Sequence, residues 1–549
     1  MTTDRTAKRD APLEMDAATF RALGHRLVDQ LASLIEAVPA GPVTRDAPPS
    51  AVRASLGLGG ALPEQGTDAG LLIERTARLL FEHSLLNQHP RFFGYITAGP
   101  APIGVLADLL ASAVNPNVGS WTLAPAATEI EAETVRWIAE LIGYPADCGG
   151  LLVSGGNMAN FVCFYAARAA KAPWDVRAAG TAQAKGEGVL RAYACTQTHT
   201  WIDKAADLSG LGAASVRKIA AGRDQRMDVA ALRRQIEADR AAGDVPFMVA
   251  ATAGAVMTGA VDDLPAIAAL CRELDVWFHV DGAYGGFAAC VPDAPADLRA
   301  LALADSVAVD PHKWLYAPLE AGCALVRNAE HLRAAFSYHP PYYHFDERAT
   351  NYVDFGPQNS RGIRALKVWL MLQQAGAAGY RRMIADDMRL ARDMADAVRR
   401  EPELELFTQA LSITTFRFVP SDLRARSAEP DVATYLDALN QQILDRTQRE
   451  GEAFVSNAVI GGRYVLGGLV NPDANVTIDA NVLVKKWITL RGIHNYHPRH
   501  LIQALDFVVA NRSRFPFKDI VDSKFSLAEL GTAFKKAAER EVLRAAIVP

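Results

Sequence analysis

Cysteine is scarce in this 549-residue chain, and its six cysteines are scattered with no C-x-x-C pair among them. Neither a disulfide framework nor a thiolate zinc cluster is therefore indicated. We predict no metal site, and a reducing cytoplasm is the compartment that fits this cysteine usage best.

Long apolar runs and blocks of like charge are missing as well. No stretch approaches the roughly 18 uninterrupted apolar residues of a membrane span, and the polar N-terminus has no signal-peptide core. Lysines and arginines are interspersed with acids, and the formal net charge is −5. We therefore expect neither a membrane nor a nucleic acid as partner, and nothing indicates export.

What is present is the composition of an ordinary globular protein, with 50% hydrophobic residues. A chain of this length has room for roughly two to four domains. Asp16 can cap a first helix, whose apolar positions recur at helical spacing. These positions are Phe20, Leu23, Leu27, Leu34 and Val38. This stripe can pack on its own domain or across a dimer, and the Pro/Gly-rich stretch 39–66 separates the helix from the rest of the chain.

Alternating strands and helices are predicted over residues 71–372, because short apolar runs there alternate with longer helical patterns. The clearest runs are GLLVS (150–154), FMVAATAG (247–254), VWFHVD (276–281) and SVAVD (306–310). Ligands of open α/β sheets gather at the carboxyl ends of the strands, and two of these runs end in Asp. Residues 373–460 give two helices and two strand candidates, which predicts a smaller α+β domain.

Lys313, in the pentapeptide DPHKW (310–314), and Asp281, at a strand end, form the most informative pair. A lysine amine forms a Schiff base with an aldehyde, and a carboxylate holds a ring nitrogen protonated. Taken singly, a lysine is usually a solvated surface group and an Asp after an apolar run is often a turn former. Together they indicate a pyridoxal-phosphate site.

The stretch Ser154-Gly155-Gly156-Asn157 comes after a strand and precedes a helical pattern. Its N–H groups suit a phosphate, although such a turn is more often ordinary turn chemistry. His199 is either a structural histidine or a ring that stacks on a pyridine and exchanges protons near neutral pH. Ala283 lies among small residues after Asp281 that let a planar cofactor approach.

Five motifs together resemble the group II pyridoxal-phosphate decarboxylases, of the aromatic-L-amino-acid decarboxylase type, over about residues 16–458. They are HPRFFGY (89–95), SWTLAPAATEIE (120–131), SGGNMAN (154–160), HVDGAYGG (279–286) and DPHKWL (310–315). The resemblance implies an α/β fold of the PLP-dependent transferase type (aspartate aminotransferase-like, fold type I) with a mainly parallel sheet. It also implies that residues 1–70 pack across a homodimer, that 71–372 bind pyridoxal 5'-phosphate and that 373–460 form the small α+β domain.

The resemblance also assigns roles in the site. Lys313 holds the cofactor covalently, Asp281 pairs with the ring nitrogen, and Ala283 and His199 sandwich the ring. Gly155, Gly156 and Asn157 hold the phosphate, with His312 beside Lys313 and Asp310 near the phosphate. An ionised Asp310 would be repelled there, so we expect it to point elsewhere or to accept backbone donors. Tyr342, or Tyr343 if the loop is shifted by one, delivers a proton, unless this Tyr/Pro-rich loop closes over nothing.

The implied reaction is decarboxylation of an aromatic L-amino acid, with Tyr95, Thr97 and Trp121 as substrate contacts. Ile96, Thr97 and Ala98 stand where the animal enzyme has Phe-Pro-Thr, and Gly119 replaces another phenylalanine. Fewer rings keep open a non-aromatic substrate or an aldehyde synthase, although His199 with Tyr342 is the decarboxylase pair. An inactive fusion acting as a binding scaffold is the alternative from another class.

The last segment, 461–549, is similar to the C-terminal portion of zinc-type medium-chain alcohol dehydrogenases. It has no cysteine and no G-x-G-x-x-G, so we predict no dehydrogenase activity. His494, His497 and His500 are more often surface and packing residues than a metal site. TLRGIHNYHPRHLIQALDFV is predicted to supply the strand and helix that the small domain lacks.

Overall fold

The computed structural model describes residues 11–45, 47–181, 188–340, 348–458, 523–526 and 545–548. The chain forms two compact units, Met1–Ile460 and Gly461–Pro549. No helix in the described part of the chain is long and apolar enough to cross a bilayer.

Fourteen α-helices lie among the described residues of the first unit. They are α1 (Ala17–Ala37), α2 (Pro49–Leu56), α3 (Ala69–His83), α4 (Pro102–Val114), α5 (Pro125–Ile142), α6 (Gly156–Lys171), α7 (Val176–Ala179), α8 (Trp201–Leu208), α9 (Val229–Ala241), α10 (Leu264–Glu273), α11 (Pro311–Trp314), α12 (Ala329–Phe336), α13 (Ala365–Arg400) and α14 (Pro430–Glu450). The predicted cap of α1 is confirmed, because Asp16 Oδ1 accepts a hydrogen bond of 2.7 Å from the Thr19 backbone N–H.

A seven-stranded sheet forms the centre of the first unit. Its strands are β1 (Gly149–Val153), β2 (Leu190–Cys195), β3 (Val216–Ile219), β4 (Val245–Thr252), β5 (Trp277–Asp281), β6 (Ser306–Val309) and β7 (Gly322–Val326). The order is β1-β7-β6-β5-β4-β2-β3, and β7 alone runs antiparallel to its neighbours. Every residue of β1, β5, β6 and β7 is buried, as expected for apolar strands covered on both faces.

A smaller antiparallel sheet comes next in the chain, made of β8 (Leu404–Ala410) and β9 (Ile413–Phe418). The preceding helix, α13, is interrupted at Gly376 (φ 62°, ψ 167°). The predicted boundary between residues 372 and 373 therefore falls inside α13, just before this break. Val419, Val432 and Leu436 form a separate small cluster of buried apolar side chains.

The mainly parallel α/β sheet with a small α+β portion confirms the predicted fold class. In the second unit, β10 (Ser523–Ser526) and β11 (Ala545–Val548) pair in parallel. The three clustered histidines and the strand and helix predicted for the tail lie outside the described residues.

Candidate active site

Asp281 is the last residue of β5 and is only 7% exposed. Its Oδ2 accepts a hydrogen bond of 2.7 Å from the indole Nε1–H of Trp201, and its Oδ1 accepts one of 3.1 Å from the backbone N–H of Ala283. Thr252, at the end of β4, is its register partner. Both carboxylate oxygens are therefore held in a fixed orientation at the carboxyl edge of the sheet.

Lys313 lies in the short helix α11, which begins directly after β6 and Asp310. Its Nζ is 3.0 Å from Oδ2 of Asp310, whose side chain is almost fully buried. Burial raises the pKa of Asp310, and the nearby Lys313 ammonium opposes this rise. The other oxygen, Oδ1, has no hydrogen-bond partner among the described residues. A charged amine and a buried carboxylate thus face each other where the sequence predicts the cofactor lysine.

The turn between β1 and α6 has no room for side chains. Gly155 has φ 110°, a conformation that favours glycine, and a Cβ there would lie 3.1 Å from Cε1 of His312. A Cβ on Gly156 would lie 2.5 Å from Oδ2 of Asp310 and 3.1 Å from the methyl group of Ala283. Asp310 therefore faces this turn, and the Lys313 amine rather than a described backbone N–H lies beside it, so the expectation that it points elsewhere or accepts backbone donors is wrong.

The predicted phosphate site lies at the N-terminus of α6, a 16-residue helix that begins at Gly156. The first backbone N–H groups of a helix have no partner within the helix, and they point toward an anion at that end. Asn157 is exposed in the first turn. This turn, together with an amine and an oriented carboxylate, fits the phosphate, aldehyde and ring nitrogen of pyridoxal phosphate.

Two histidines complete the cluster. Nδ1 of His312 lies 2.8 Å from the Ala321 carbonyl oxygen, and the Trp201 backbone N–H donates to Nδ1 of His199 at 3.3 Å. Burial lowers the pKa of both histidines. The carboxylates of Asp281 and Asp310 partly oppose the shift at His199, and Asp310 opposes it at His312. His199 is thus held as a flat neutral ring at neutral pH, which suits stacking on a heterocycle.

The predicted substrate contacts are all at least partly exposed. Tyr95 is 53% exposed, has φ 57°, and donates its backbone N–H to Ser456 Oγ at 3.2 Å. Thr97 is exposed, and the indole N–H of Trp121 donates to Glu129 at 2.8 Å. Their contacts with a substrate stay predictions. Tyr342 and Tyr343 lie outside the described residues.

Sequence reasoning missed a buried ion pair behind the glycine turn. Nη2 of Arg361 lies 2.5 Å from Oε1 of Glu131 and donates to the carbonyl oxygen of Leu152 at 2.6 Å. The same Oε1 accepts the Leu152 backbone N–H at 2.8 Å. The pair therefore holds the end of β1 just before the turn. No sequence signal connects two residues that are 230 positions apart.

Trp201 was also missed, although it lies only two positions after His199. Its indole is fully buried and contacts His279 edge-on at a centroid distance of 5.5 Å. A tryptophan at the start of α8 is typical of a core residue, so only the structure shows that it orients Asp281.

Comparisons with known proteins agree with this geometry. Residues 53–419 match the pyridoxal-dependent decarboxylase conserved domain. The chain is 32% identical over 459 residues to an aromatic-L-amino-acid decarboxylase of Bacillus atrophaeus, covering 83% of this chain and 92% of that one. It is similar to the crystal structure of Oryza sativa TDC with PLP and tryptamine, with a TM-score of 0.75, 28% identity and coverage of 82% and 93%.

A second similar structure is that of mouse CSAD, with a TM-score of 0.76, 28% identity and coverage of 81% of this chain and 93% of that one. These structures share the fold type I architecture that the motifs predicted. The chain therefore belongs to the pyridoxal-dependent decarboxylase family, and it is a carboxy-lyase that uses pyridoxal phosphate.

Proposed function

We propose that this enzyme removes carbon dioxide from an aromatic L-amino acid of the tyrosine, DOPA or tryptophan type and releases the amine. The observation that carries the proposal is the cluster of the Lys313 amine, the doubly held Asp281 carboxylate and the glycine turn at α6. The similarity to an aromatic-L-amino-acid decarboxylase supports the substrate class.

Each group of residues would hold a different part of the cofactor. Lys313 would hold the aldehyde carbon of the cofactor, Asp281 its ring nitrogen, and Gly155, Gly156 and Asn157 its phosphate. When bound, the cofactor supplies a sink for the electron pair left by the departing carbon dioxide. Asp281 strengthens that sink, since each unit by which it raises the pKa of the ring nitrogen favours protonation by about 1.4 kcal/mol.

His199 and Ala283 would enclose the ring from its two faces, and His199 does so as a neutral group because burial lowers its pKa. Asp310 holds the Lys313 ammonium before the cofactor arrives, and His312 lines the turn beside Gly155. We assign the proton donor for the substrate Cα to Tyr342, with Tyr343 as the alternative, by resemblance to the family.

One feature makes the substrate range a necessary test. The position where a Cβ of Gly119 would lie is occupied by the carbonyl oxygen of Asn359. A phenylalanine at this position, as in the animal enzyme, would therefore need a shift of the backbone. A non-aromatic substrate, or an aldehyde synthase activity, is the second candidate. Tyr95, Thr97 and Trp121 are the proposed substrate contacts of the aromatic decarboxylase.

The test is a substrate panel on purified protein. Unaltered protein is expected to be yellow and to lose its visible band on borohydride reduction, whereas Lys313→Ala has no such band. Carbon dioxide release without oxygen uptake from tyrosine, DOPA or tryptophan supports the proposal. Oxygen uptake indicates an aldehyde synthase. Carbon dioxide release from histidine or aliphatic amino acids indicates a non-aromatic substrate, and a colourless protein indicates a binding scaffold.

We also propose a homodimer in the cytoplasm. Among the residues the structure describes, no side chain of α1 is fully buried, and α4 exposes a row of apolar side chains. These are Val105, Leu106, Leu109, Leu110 and Val114. Packing against a second copy would cover both helices. All six cysteines are free thiols, which suits a reducing compartment.

For the tail, 461–549, we propose similarity to the end of a zinc-type medium-chain alcohol dehydrogenase, without dehydrogenase activity, and partial completion of the small domain. The proposal rests on the sequence pattern. Removal of the segment after residue 458 tests it, because an enzyme that keeps its thermal stability without the tail has no need of that completion.

A further inference from the structure

Asp387, on the second half of α13, binds two residues of the segment just after Lys313. Its Oδ2 accepts a hydrogen bond of 2.8 Å from the indole Nε1–H of Trp314 and another from the phenol O–H of Tyr316. Trp314 is the residue after Lys313, and Tyr316 lies three positions after it. One carboxylate oxygen thus holds this segment at two points.

The Lys313 turn needs such anchors. Helix α11 has only four residues, and a helix this short has little stability of its own. It ends at Leu315, and Tyr316 then adopts φ 61°, a left-handed conformation that is strained for a tyrosine. A non-glycine residue keeps this conformation only where its surroundings hold it, and here the Tyr316 hydroxyl is bound to Asp387.

Trp314 also connects Asp387 to the turn that follows Asp281. The Trp314 ring stacks on Tyr284 at a centroid distance of 5.0 Å and an angle of 21°. Tyr284 lies three positions after Asp281, and its hydroxyl lies 2.6 Å from Ser412 Oγ. The turns that carry Lys313 and Asp281 therefore share one stacked pair of rings. Each ring is bound to a residue beyond the Gly376 break.

We propose that Asp387 is a positioning residue for Lys313, which fixes the orientation of the amine relative to Asp281 without contacting cofactor or substrate. The inference rests on the proposed role of Lys313. Because a displacement of about 1 Å at a reacting group costs on the order of 100-fold in rate, loss of this anchor affects the cofactor chemistry and not only the stability of the fold.

The test compares Asp387→Leu, which removes the acceptor, with Asp387→Asn, whose amide oxygen still accepts both donors. The matched control is Asp386→Leu, because Asp386 is the adjacent carboxylate and pairs at the surface with Arg389 at 3.3 Å. The readouts are the dissociation constant of pyridoxal phosphate, the pH midpoint of its visible band, and kcat and KM measured separately.

For Asp387→Leu we expect cofactor affinity and kcat each to fall about 10-fold, because hydrogen bonds to a charged acceptor are lost. KM stays within about twofold of the unaltered enzyme because the amino-acid contacts are intact, and the band midpoint shifts. Asp387→Asn restores most of each value, and Asp386→Leu behaves like the unaltered protein.

If Asp387→Leu does not fold, Trp314→Phe and Tyr316→Phe test the proposal, because each removes one donor to Asp387. Each is expected to move the pH midpoint of the band and to lower kcat about threefold. A variant that melts at a lower temperature but keeps the unaltered midpoint, cofactor affinity and kcat overturns the proposal. Failure of the proposed function looks different, because the unaltered protein itself would then bind no cofactor.

Discussion

The carboxyl edge of the seven-stranded sheet and the exposed helices α1 and α4 differ in how far the chain itself covers their side chains. At the sheet edge, charged groups are buried and bound to one another or to buried donors, as Arg361 is to Glu131 and Asp281 is to Trp201. At the helical surface, large apolar groups such as Phe20 and Leu109 are more than half exposed in the described chain. The first region is completed by contacts within the chain, and the second exposes its apolar side chains.

The difference determines how each region responds to substitution. Removing one member of a buried ion pair leaves the other charge without compensation, which costs several kcal/mol. An exposed leucine costs its own chain almost nothing to replace, and its value appears only when a partner buries it. Substitutions at the sheet edge should therefore change folding and chemistry, and those on the helical surface should change association.

Arg361→Met is expected to have the largest effect, a loss of about 3 to 5 kcal/mol in the free energy of unfolding, because Glu131 would remain buried without a counter-charge. Denaturation in urea measures it. The matched control is Arg389→Met, whose exposed partner Asp393 lies at 2.7 Å, and which should cost less than about 1 kcal/mol. Equal losses in the two variants would show that burial of an ion pair does not determine how much its removal destabilises the fold.

Asp281→Asn should come next, with kcat reduced about 100-fold or more, because the amide keeps the hydrogen bond from Trp201 but has no charge to hold a ring nitrogen protonated. Trp201→Phe keeps the charge and removes one of its donors, and we expect a smaller loss of about 10-fold. Steady-state kinetics on cofactor-saturated protein measure kcat for both variants. If Asp281→Asn kept kcat within about threefold of the unaltered value, the carboxylate would be structural.

Features of the site that depend on neighbouring residues can be predicted from the sequence, and those that depend on distant contacts cannot. Strand ends were predictable, because apolar runs stop at polar residues, and β5 does end at Asp281. The cap at Asp16 and the glycine turn before α6 were predictable for the same local reason. Each of these features is encoded within a few consecutive residues.

Contacts between distant positions were hidden. Asp387 reaches Trp314 across 73 residues, and nothing in the acidic pattern of α13 distinguishes it from Asp386. The antiparallel strand β7, inserted between β1 and β6, has the same apolar pattern as a parallel strand. Asp310 faces the glycine turn with the amine of Lys313 3.0 Å from its Oδ2, and the sequence pattern does not show this pairing.

On the helical surface, Leu109→Glu is expected to weaken self-association about 10- to 100-fold, since burying one leucine side chain contributes about 1.5 to 3 kcal/mol. Analytical ultracentrifugation over a range of concentrations measures the change. Leu208→Glu, at an exposed leucine of α8, is the control and should leave association unchanged. A monomeric unaltered protein, or an unchanged dimer in the α4 variant, would show that α4 is not the interface.

A pH-dependent effect is expected at Asp262, a buried carboxylate near the sheet edge that accepts the backbone N–H groups of Met227 at 2.7 Å and Thr252 at 2.8 Å. Burial raises its pKa to about 6. The unfolded chain has its ordinary value of about 4, so the folded protein binds the proton more readily between these values. The stability that this group contributes is therefore full below about pH 4 and falls as the pH rises toward 6.

Asp262→Asn abolishes this titration, so the stability of the unaltered protein relative to the variant should fall by about 1 to 3 kcal/mol between about pH 4 and 6. Asp275→Asn provides the opposite sign, because a hydrogen bond from Lys171 lowers the pKa of Asp275 and its contribution is lost as the pH falls. Urea denaturation at several pH values compares the two. A flat difference for Asp262, or the same sign for both, would mean that burial does not govern the carboxylates at the sheet edge.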